Sequence, residues 1–432
     1  MQIISLLIGI ALLIILSYKG VATYLSALIS SVVILLLNGM NIWEGMSQTF
    51  ASGFVSFVSS YIFVLTIGAM FGRLMSASGS AKAFALKLLD IFGEKRIVAV
   101  IIVAAIVMAF CGINIYIIFY AIYPIAVVIG SKQNVSKGVL ASAIFCVAFT
   151  TCFPGTISLN NIIGSTVLGT KLTAGWQVGI PGCLVILGIC LAYTYHTAKT
   201  SKEKGIGFEA GPRDHLYLAS DLEESDLPPI FIAVTPMVVM AILAIVLSNF
   251  LDATMSVVIA LLVASALIIL FNFKRLKDKL SVAMGEGLMD GFSPLLTISA
   301  LVGFGAVVRT TPGFTNIVNL ALGMDIHPYM GTFIGTNLLV GVTGSMSGGL
   351  NIFMETLAPS YVSMGANADI IHRIAAMSAC GLDSLPHSAG IIGQLAVMQL
   401  TLKQGYKHAF FTTVVATIVG ALVTTILAMI FY

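Results

Sequence analysis

Charge is scarce in this chain. Asp, Glu, Lys and Arg make up 9% of its 432 residues against 58% hydrophobic residues, so most segments lack the polar side chains that a water-facing helix surface needs. A soluble globular fold is excluded on that ground. The chain also lacks a basic n-region before its first apolar run, which opens MQII, and similar runs recur throughout; the first is therefore read as a span and not as a removed signal peptide. Disulfide and zinc spacings are missing too. Cys111, Cys146, Cys152, Cys183, Cys190 and Cys380 all lie in apolar segments and read as packing residues. No G-x-x-x-x-G-K-[ST] motif occurs, so nothing marks the chain as hydrolysing ATP, and no cofactor is implied. The net charge of +3 carries no nucleic-acid signal.

What remains is apolar sequence in long windows. Ile3 to Leu16, Ala22 to Leu37, Val178 to Tyr195, Ile230 to Phe250 and Phe410 to Phe431 are long, or nearly long enough, to cross about 30 Å of hydrocarbon as helices. The expected fold class is an all-α integral membrane protein with the lipid bilayer as its solvent.

One long polar connection divides the chain: residues 196–228, from His196 to Pro228, containing TSKEKG and SDLEESDLPP. It separates residues 1–195 from 229–432. Each part reads as two apolar spans, a Glu-Gly start (Glu44, Glu286), a third span, two longer interrupted segments and a closing span. The echoes extend to detail. GIN at Gly112 to Asn114 answers GLN at Gly349 to Asn351, each followed by a proline, Pro124 or Pro359. FPGTIS at Phe153 to Ser158 answers LPHSAG at Leu385 to Gly390, with Lys171 and Lys403 equally far beyond their prolines. This is read as an internal duplication.

The interrupted segments of the first half run from about Ile97 to Gly130 and from about Gly138 to Thr170. As one straight helix each would be roughly 50 Å long, too long for a single crossing, so a re-entrant hairpin or a broken helix is expected. Lys and Arg decide the parity. If in each half one interrupted segment returns to its own side and the other crosses, only Lys171, Arg309 and Arg373 of the 21 basic residues leave the common face. If every segment crosses, the basic residues divide almost evenly. The positive-inside rule selects the first arrangement, with the linker cytoplasmic and both termini outside. Two inverted repeats follow, each with about five transmembrane helices plus one re-entrant hairpin, because an odd number of crossings flips the repeat. Parity leaves open which segment of each pair returns. The GIN and GLN breaks sit near the midpoints of Ile97 to Gly130 and Pro328 to Val362, and the hairpins are assigned there.

Broken backbone inside a membrane must be satisfied by protein, water or ligand, since each unpaired group costs several kcal/mol. The breaks are therefore expected to surround an internal polar site. The first half offers Gly112, Asn114, Thr156, Ser158 and Asn160; the second offers Ser345, Ser347, Gly349, Asn351, Ser384 and Ser388. Half-helix N-termini present free N–H groups, Gly lets a ligand approach the backbone, and Ser, Thr and Asn supply hydrogen bonds. Small polar residues also serve plain helix packing. No Lys or Arg lies inside the breaks, so a bound anion is expected to be small, singly charged and held by dipoles and hydroxyls. Arg309 and Arg373 read either as charges at the outer mouth or as ordinary helix caps.

Asp383 and His387 stand four apart, close enough to meet if the turn between them is helix-like despite Pro386. An ionised carboxylate there is costly unless paired, and His titrates near neutrality, so the two are candidates for taking up a proton with substrate. His387 can equally be a structural hydrogen-bonder at the break. Glu355, in NIFMETLAP, is a second intramembrane acid and an alternative coupling group. Sodium can replace the proton, because unwound carbonyls with Asn, Ser and Thr are hard-ion ligands. A channel and an intramembrane enzyme built on Asp383 and His387 are the remaining classes; no nucleophile or metal triad accompanies the pair.

GLDSLPHSAGIIGQLAV, with TGSMSGGLNIF and AMFGRLMSASGSA upstream, resembles the gluconate permease (GntP) family of the ion transporter superfamily, over nearly the whole chain. Leu382 to His387, reading LDSLPH, is closer to the β-hydroxybutyrate permease branch than to gluconate permeases. The resemblance implies proton-coupled import of a small organic acid across the cell membrane, an inverted-repeat fold like that of divalent anion:sodium symporters, a homodimer, and an elevator motion of hairpins and broken helices against the other spans.

Overall fold

The computed structural model describes residues 2–432 except 94–95, 111–114, 157, 215–217, 219–225, 248–249, 252 and 324–325. All regular structure among the described residues is helical. The first half contains α1 (Gln2–Tyr18), α2 (Thr23–Leu37), α3 (Ala51–Ala77), α4 (Ser80–Phe92), α5 (Ile97–Phe110), α6 (Ile115–Gln133), α7 (Lys137–Phe145), α8 (Leu159–Leu168) and α9 (Trp176–Glu203). After the linker come α10 (Ile230–Leu247), α11 (Ala253–Phe271), α12 (Leu280–Arg309), α13 (Pro312–Leu322), α14 (Pro328–Thr343), α15 (Met346–Thr356), α16 (Ala368–Ser378), α17 (Ala389–Val397), α18 (Leu402–Ala409) and α19 (Ala416–Phe431). Single π-helical turns, Gly45–Phe50 and Phe410–Val415, lead into α3 and α19.

Five stretches among the described residues are long and apolar enough to cross a membrane: Ile42–Ala77, Trp176–Glu203, Thr254–Phe271, Leu280–Arg309 and Leu402–Phe431. Shorter apolar helices accompany them, so the chain is a multi-pass membrane protein. α9 continues past His196 to Glu203, because Thr197 to Glu203 carries no Gly or Pro to stop it and a solvated face suits its charges.

The helices sort into two groups. The first is built on α3 and α12, which run antiparallel in the most extensive contact of the molecule and carry α2 and α11 at their flanks. Small residues permit that approach: a Cβ on Gly291 would lie 2.5 Å from Thr66 Cα, and one on Gly287 2.7 Å from Met70 Cα. The second group contains α5 to α9 and α14 to α19, with α9 against α19 and α8 against α16. The groups also touch directly, α3 on α6 and α12 on α17, and two short helices bridge them as well. α4 follows α3 and packs on both α6 and α10; α13 follows α12 and packs on both α1 and α14. α13 starts sharply because Pro312 stands at its first turn and the Thr311 hydroxyl accepts from Phe314 N at 3.2 Å.

The two ends of the bundle differ in charge. At one end lie the Arg73–Glu286 pair (2.6 Å), the Arg213–Asp290 pair (3.0 Å) and a buried Lys137–Asp214 pair (2.8 Å). The linker contributes Arg213 and Asp214 there. Tyr123 Oη, with its one hydrogen, lies 2.7 Å from Asp214 Oδ1 and 2.6 Å from the Met398 carbonyl. Segment 209–213 closes over a cavity of about 560 Å³ that also touches Tyr120, Ser293 and Val397. The opposite end holds both chain ends: Gln2 Oε1 accepts from Asn316 Nδ2 at 2.8 Å, and Tyr432 lies beside Gln177 at the start of α9.

Candidate functional site

α14 and α15 fold back on each other as a helical hairpin. The turn is made by Gly344, which sits at φ +59° in the left-handed region, and by Ser345, whose hydroxyl accepts from Gly348 N at 3.2 Å and starts α15. The arms stay together along their length, Gly349 lying on Val340 and Gly331 on Tyr361. A Cβ on Gly349 would come within 2.5 Å of Val340 Cα, so this glycine is buried by its own hairpin. Asn367 N donates to Tyr329 Oη at 3.3 Å near the base.

The hairpin tip meets an interruption between α16 and α17. After Ser378 the chain makes one 3-10 turn, Leu382–Ser384, and then extends at Leu385 (ψ +163°), the conformation expected before Pro386. His387, 4% exposed, bonds through Nε2 to the Gly341 carbonyl at 2.9 Å, while its Nδ1 has no hydrogen-bond partner among the described residues. A Cβ on Gly341 would lie 3.0 Å from Leu382 Cβ. Asp383 is partly exposed and accepts from Ser384 Oγ at 2.8 Å. No hydrogen bond joins Asp383 to His387. The 3-10 turn and the extended Leu385 replace the helical turn that would have brought them face to face.

Another interruption, the first in chain order, separates α7 from α8; the one between α16 and α17 is the second. Thr156 Oγ1 donates toward the carbonyls of Thr150 (3.0 Å) and Phe153 (2.8 Å), and Ser158 Oγ donates to the Thr151 carbonyl at 2.9 Å. Asn161 Nδ2 reaches the Phe153 and Thr156 carbonyls, each at 3.0 Å. These side chains supply the donors that the unwound backbone lost. The two interruptions touch. Asn160 Nδ2 donates to the Ala376 carbonyl at 2.8 Å and approaches Cys380 Sγ at 2.9 Å, and Thr151 Oγ1 lies 3.2 Å from Cys380 Sγ.

Arg373 is wholly buried and lies at neither a mouth nor a helix cap. From α16 its guanidinium donates to the carbonyls of Ala174 (2.8 Å), Cys152 (3.1 Å) and Leu172 (3.0 Å) and to Asn161 Oδ1 (2.8 Å). A cation out of water needs its N–H groups satisfied, and here carbonyls at the first interruption do that without a carboxylate.

The residues expected from sequence thus separate. Ser345 and Ser347 are partly exposed at the tip, with Asn351 a turn further along α15. Ser384 bonds Asp383, and Ser388 is buried at the start of α17. Thr156, Ser158 and Asn160 hold the first interruption and its contact with the second. Gly349 is covered by Val340. Glu355 is exposed well along α15 from the tip, toward the base of the hairpin. Gly112 and Asn114 lie outside the described residues. One group has no counterpart among the residues expected from sequence, and another, Arg309, reads from sequence only as a charge at the outer mouth or a cap. His372, from α16, is buried with Nδ1 2.6 Å from Thr170 Oγ1. Arg309, from the last turn of α12, reaches the hairpin tip, so a cation does stand beside the interruptions although none lies within them.

Known proteins share this sequence pattern. The chain is 25% identical to the uncharacterized transporter YxjC of Bacillus subtilis (strain 168) over 96% of its length and 97% of the relative's. It is 25% identical to the Gnt-II system L-idonate transporter of Escherichia coli (strain K12), over 57% of this chain and 55% of that one. A solved structure, the YdaH transporter of Alcanivorax borkumensis, aligns over 89% of this chain and 87% of its own at 13% identity and a TM-score of 0.36. The family model of the GntP family permeases matches residues 1–430. The chain belongs to the GntP permease family and is a secondary transporter, not an enzyme.

Proposed function

We propose that this permease imports a small organic monocarboxylate, with β-hydroxybutyrate the first candidate, in symport with a proton and by elevator-type alternating access. One observation carries the reading: a hairpin tip and two helix interruptions from different halves of the chain meet, through Gly341 with His387 and Asn160 with Cys380. Such a junction concentrates polar groups inside an apolar chain, where a substrate can be held away from both faces. Ser345, Ser347 and Asn351 offer its polar groups to the carboxylate. Asp383, partly exposed and, among the described residues, bonded through its side chain only to Ser384, is the proton carrier, and His387 fixes the tip against the interruption.

The two helix groups suit an elevator. The group of α3 and α12 acts as scaffold, the hairpins and interrupted helices as the moving body, and α4 and α13 as the arms between them. We assign the linker end, rich in Lys and Arg, to the cytoplasm and both termini to the outside of the cell membrane, with the halves as inverted repeats and the scaffold as the surface for a homodimer. The relative that transports L-idonate, a sugar acid, favours a second reading in which the substrate is a longer hydroxy acid of that kind.

Counterflow in proteoliposomes with a panel of organic acids tests both readings. Exchange of β-hydroxybutyrate, with accumulation driven by an inward proton gradient and indifferent to sodium, is expected. Exchange restricted to sugar acids supports the second reading, and exchange of no carboxylate removes both.

A further inference from the structure

We propose that Arg309 is the cation that receives the substrate carboxylate, and that it does so in one transport state only. The proposal rests on the monocarboxylate reading above. Arg309 ends α12 as an exposed residue, and its guanidinium forms no hydrogen bond and no ion pair with any described residue. It does not close the C-terminus of its own helix, where the Thr310 and Thr311 backbone N–H groups and hydroxyls bond the carbonyls of Val307 and Val308 instead. The side chain turns to the hairpin: Nη1 lies 3.4 Å from the position a Cβ on Gly348 would occupy. One turn earlier Gly305 lies against the Thr343 carbonyl, seating the tip on this end of α12. Ser345, Ser347 and Gly348 are all partly exposed beside it.

A planar guanidinium with unused donors, facing small hydroxyl residues across an open gap, is suited to a carboxylate, which it can grip through two parallel bonds. Gly348 leaves the room. Arg309 and its neighbours nevertheless belong to different bodies. α12 is tied along its length to α3, while the tip is tied to α16 and the Leu385–Ser388 interruption. Movement of the hairpin group along the scaffold would carry Ser345 and Ser347 away from Arg309. The guanidinium would then attract substrate at the end that holds the chain termini and release its hold once the tip descends.

The test compares wild type, Arg309→Gln and Arg309→Lys in zero-trans uptake of radiolabelled β-hydroxybutyrate by cells and by inside-out vesicles. Direct binding of the same acid, and of its neutral amide, to purified protein accompanies it. The loss of a charge-assisted bidentate contact should raise KM in cells about tenfold or more in Arg309→Gln, with little change in maximal rate and a smaller rise in Arg309→Lys. KM from the opposite face should stay within about twofold, and the amide should not discriminate the variants. An unchanged KM in cells, or equal loss from both faces with a lowered melting temperature, overturns the assignment and leaves Arg309 a surface or packing residue. Wild type that binds the acid through Arg309 but does not transport it overturns the functional reading alone. Wild type that neither binds nor transports it overturns both.

Discussion

Arg373 donates to Asn161 Oδ1 at 2.8 Å, tying the helix that precedes the second interruption to the residue that braces the first. Asn161 spends its amide hydrogens on the Phe153 and Thr156 carbonyls, so the guanidinium, the amide and the unwound backbone form one chain of bonds. The two halves cannot be remodelled separately here.

Removal of the Arg373 fork should therefore cost more than a surface arginine would. Arg373→Ala removes the guanidinium from the Ala174 carbonyl and Asn161 Oδ1, and from the Leu172 and Cys152 carbonyls, which keep only Gly155 N and Cys183 Sγ, and roughly 3–5 kcal/mol of stability should be lost. Thermal unfolding of purified protein in detergent measures this. A melting temperature equal to wild type would contradict it.

Lys137 and Asp214 give a second, independent test. Their pair is buried, and Asp214 is also reached by Tyr123 and by Gly211 N at 2.6 Å. Asp214→Asn or Lys137→Met alone strands a buried charge and should destabilise by roughly 3–5 kcal/mol. The double variant should lose less than the sum of the two. Strict additivity in a double-mutant cycle would mean that the pair does not hold the linker to the bundle.

Transport coupling should depend on Asp383 and not on Glu355. Asp383→Asn is expected to fold, to retain substrate exchange, and to lose accumulation driven by a proton gradient. Glu355→Gln, altering an exposed residue away from the tip, should accumulate substrate at close to the wild-type rate. Proteoliposome uptake with and without a pH gradient separates the two, and concentrative uptake by Asp383→Asn would remove it as the proton carrier.

Gly349 was expected to face a ligand, yet Val340 covers it. Gly349→Leu should consequently act on stability, by about 1–3 kcal/mol through forced separation of α14 and α15. The melting temperature should fall together with the amount of folded protein, while the KM of the folded fraction stays near wild type. A large KM change at unchanged stability would return Gly349 to the substrate.

Much of the fold could be read from composition and from interruptions. Apolar runs give spans, and the LPHS stretch at Leu385–Ser388 announces broken backbone, because a residue before Pro disfavours a continuing helix. The hairpin break read at Gly349–Asn351 is displaced: those residues continue α15, and the turn falls at Gly344–Ser345, where the left-handed glycine and the Ser345 cap allow it. What a polar side chain does once there was not legible. Thr156 and Ser158 turn their hydroxyls onto carbonyls freed by their own interruption, a tertiary choice that no local pattern encodes. Arg309 is separated from the tip by α13 and α14 in sequence, and Arg373 sits among residues that pattern as an ordinary amphipathic helix. Only packing distinguishes the buried arginine with four bonds from the one without a partner among the described residues.

The account turns on the hairpin tip touching the interruption before α17. Gly341→Cys with Leu382→Cys, in a background where the six native cysteines are replaced, places two thiols at positions whose Cβ atoms would be 3.0 Å apart. Oxidation should join them within one chain, detected by mass spectrometry as a 341–382 linked peptide, and reduction should restore transport. Free thiols after oxidation, or links formed only between chains, would contradict the convergence of hairpin and broken helix on which the proposed substrate site is built.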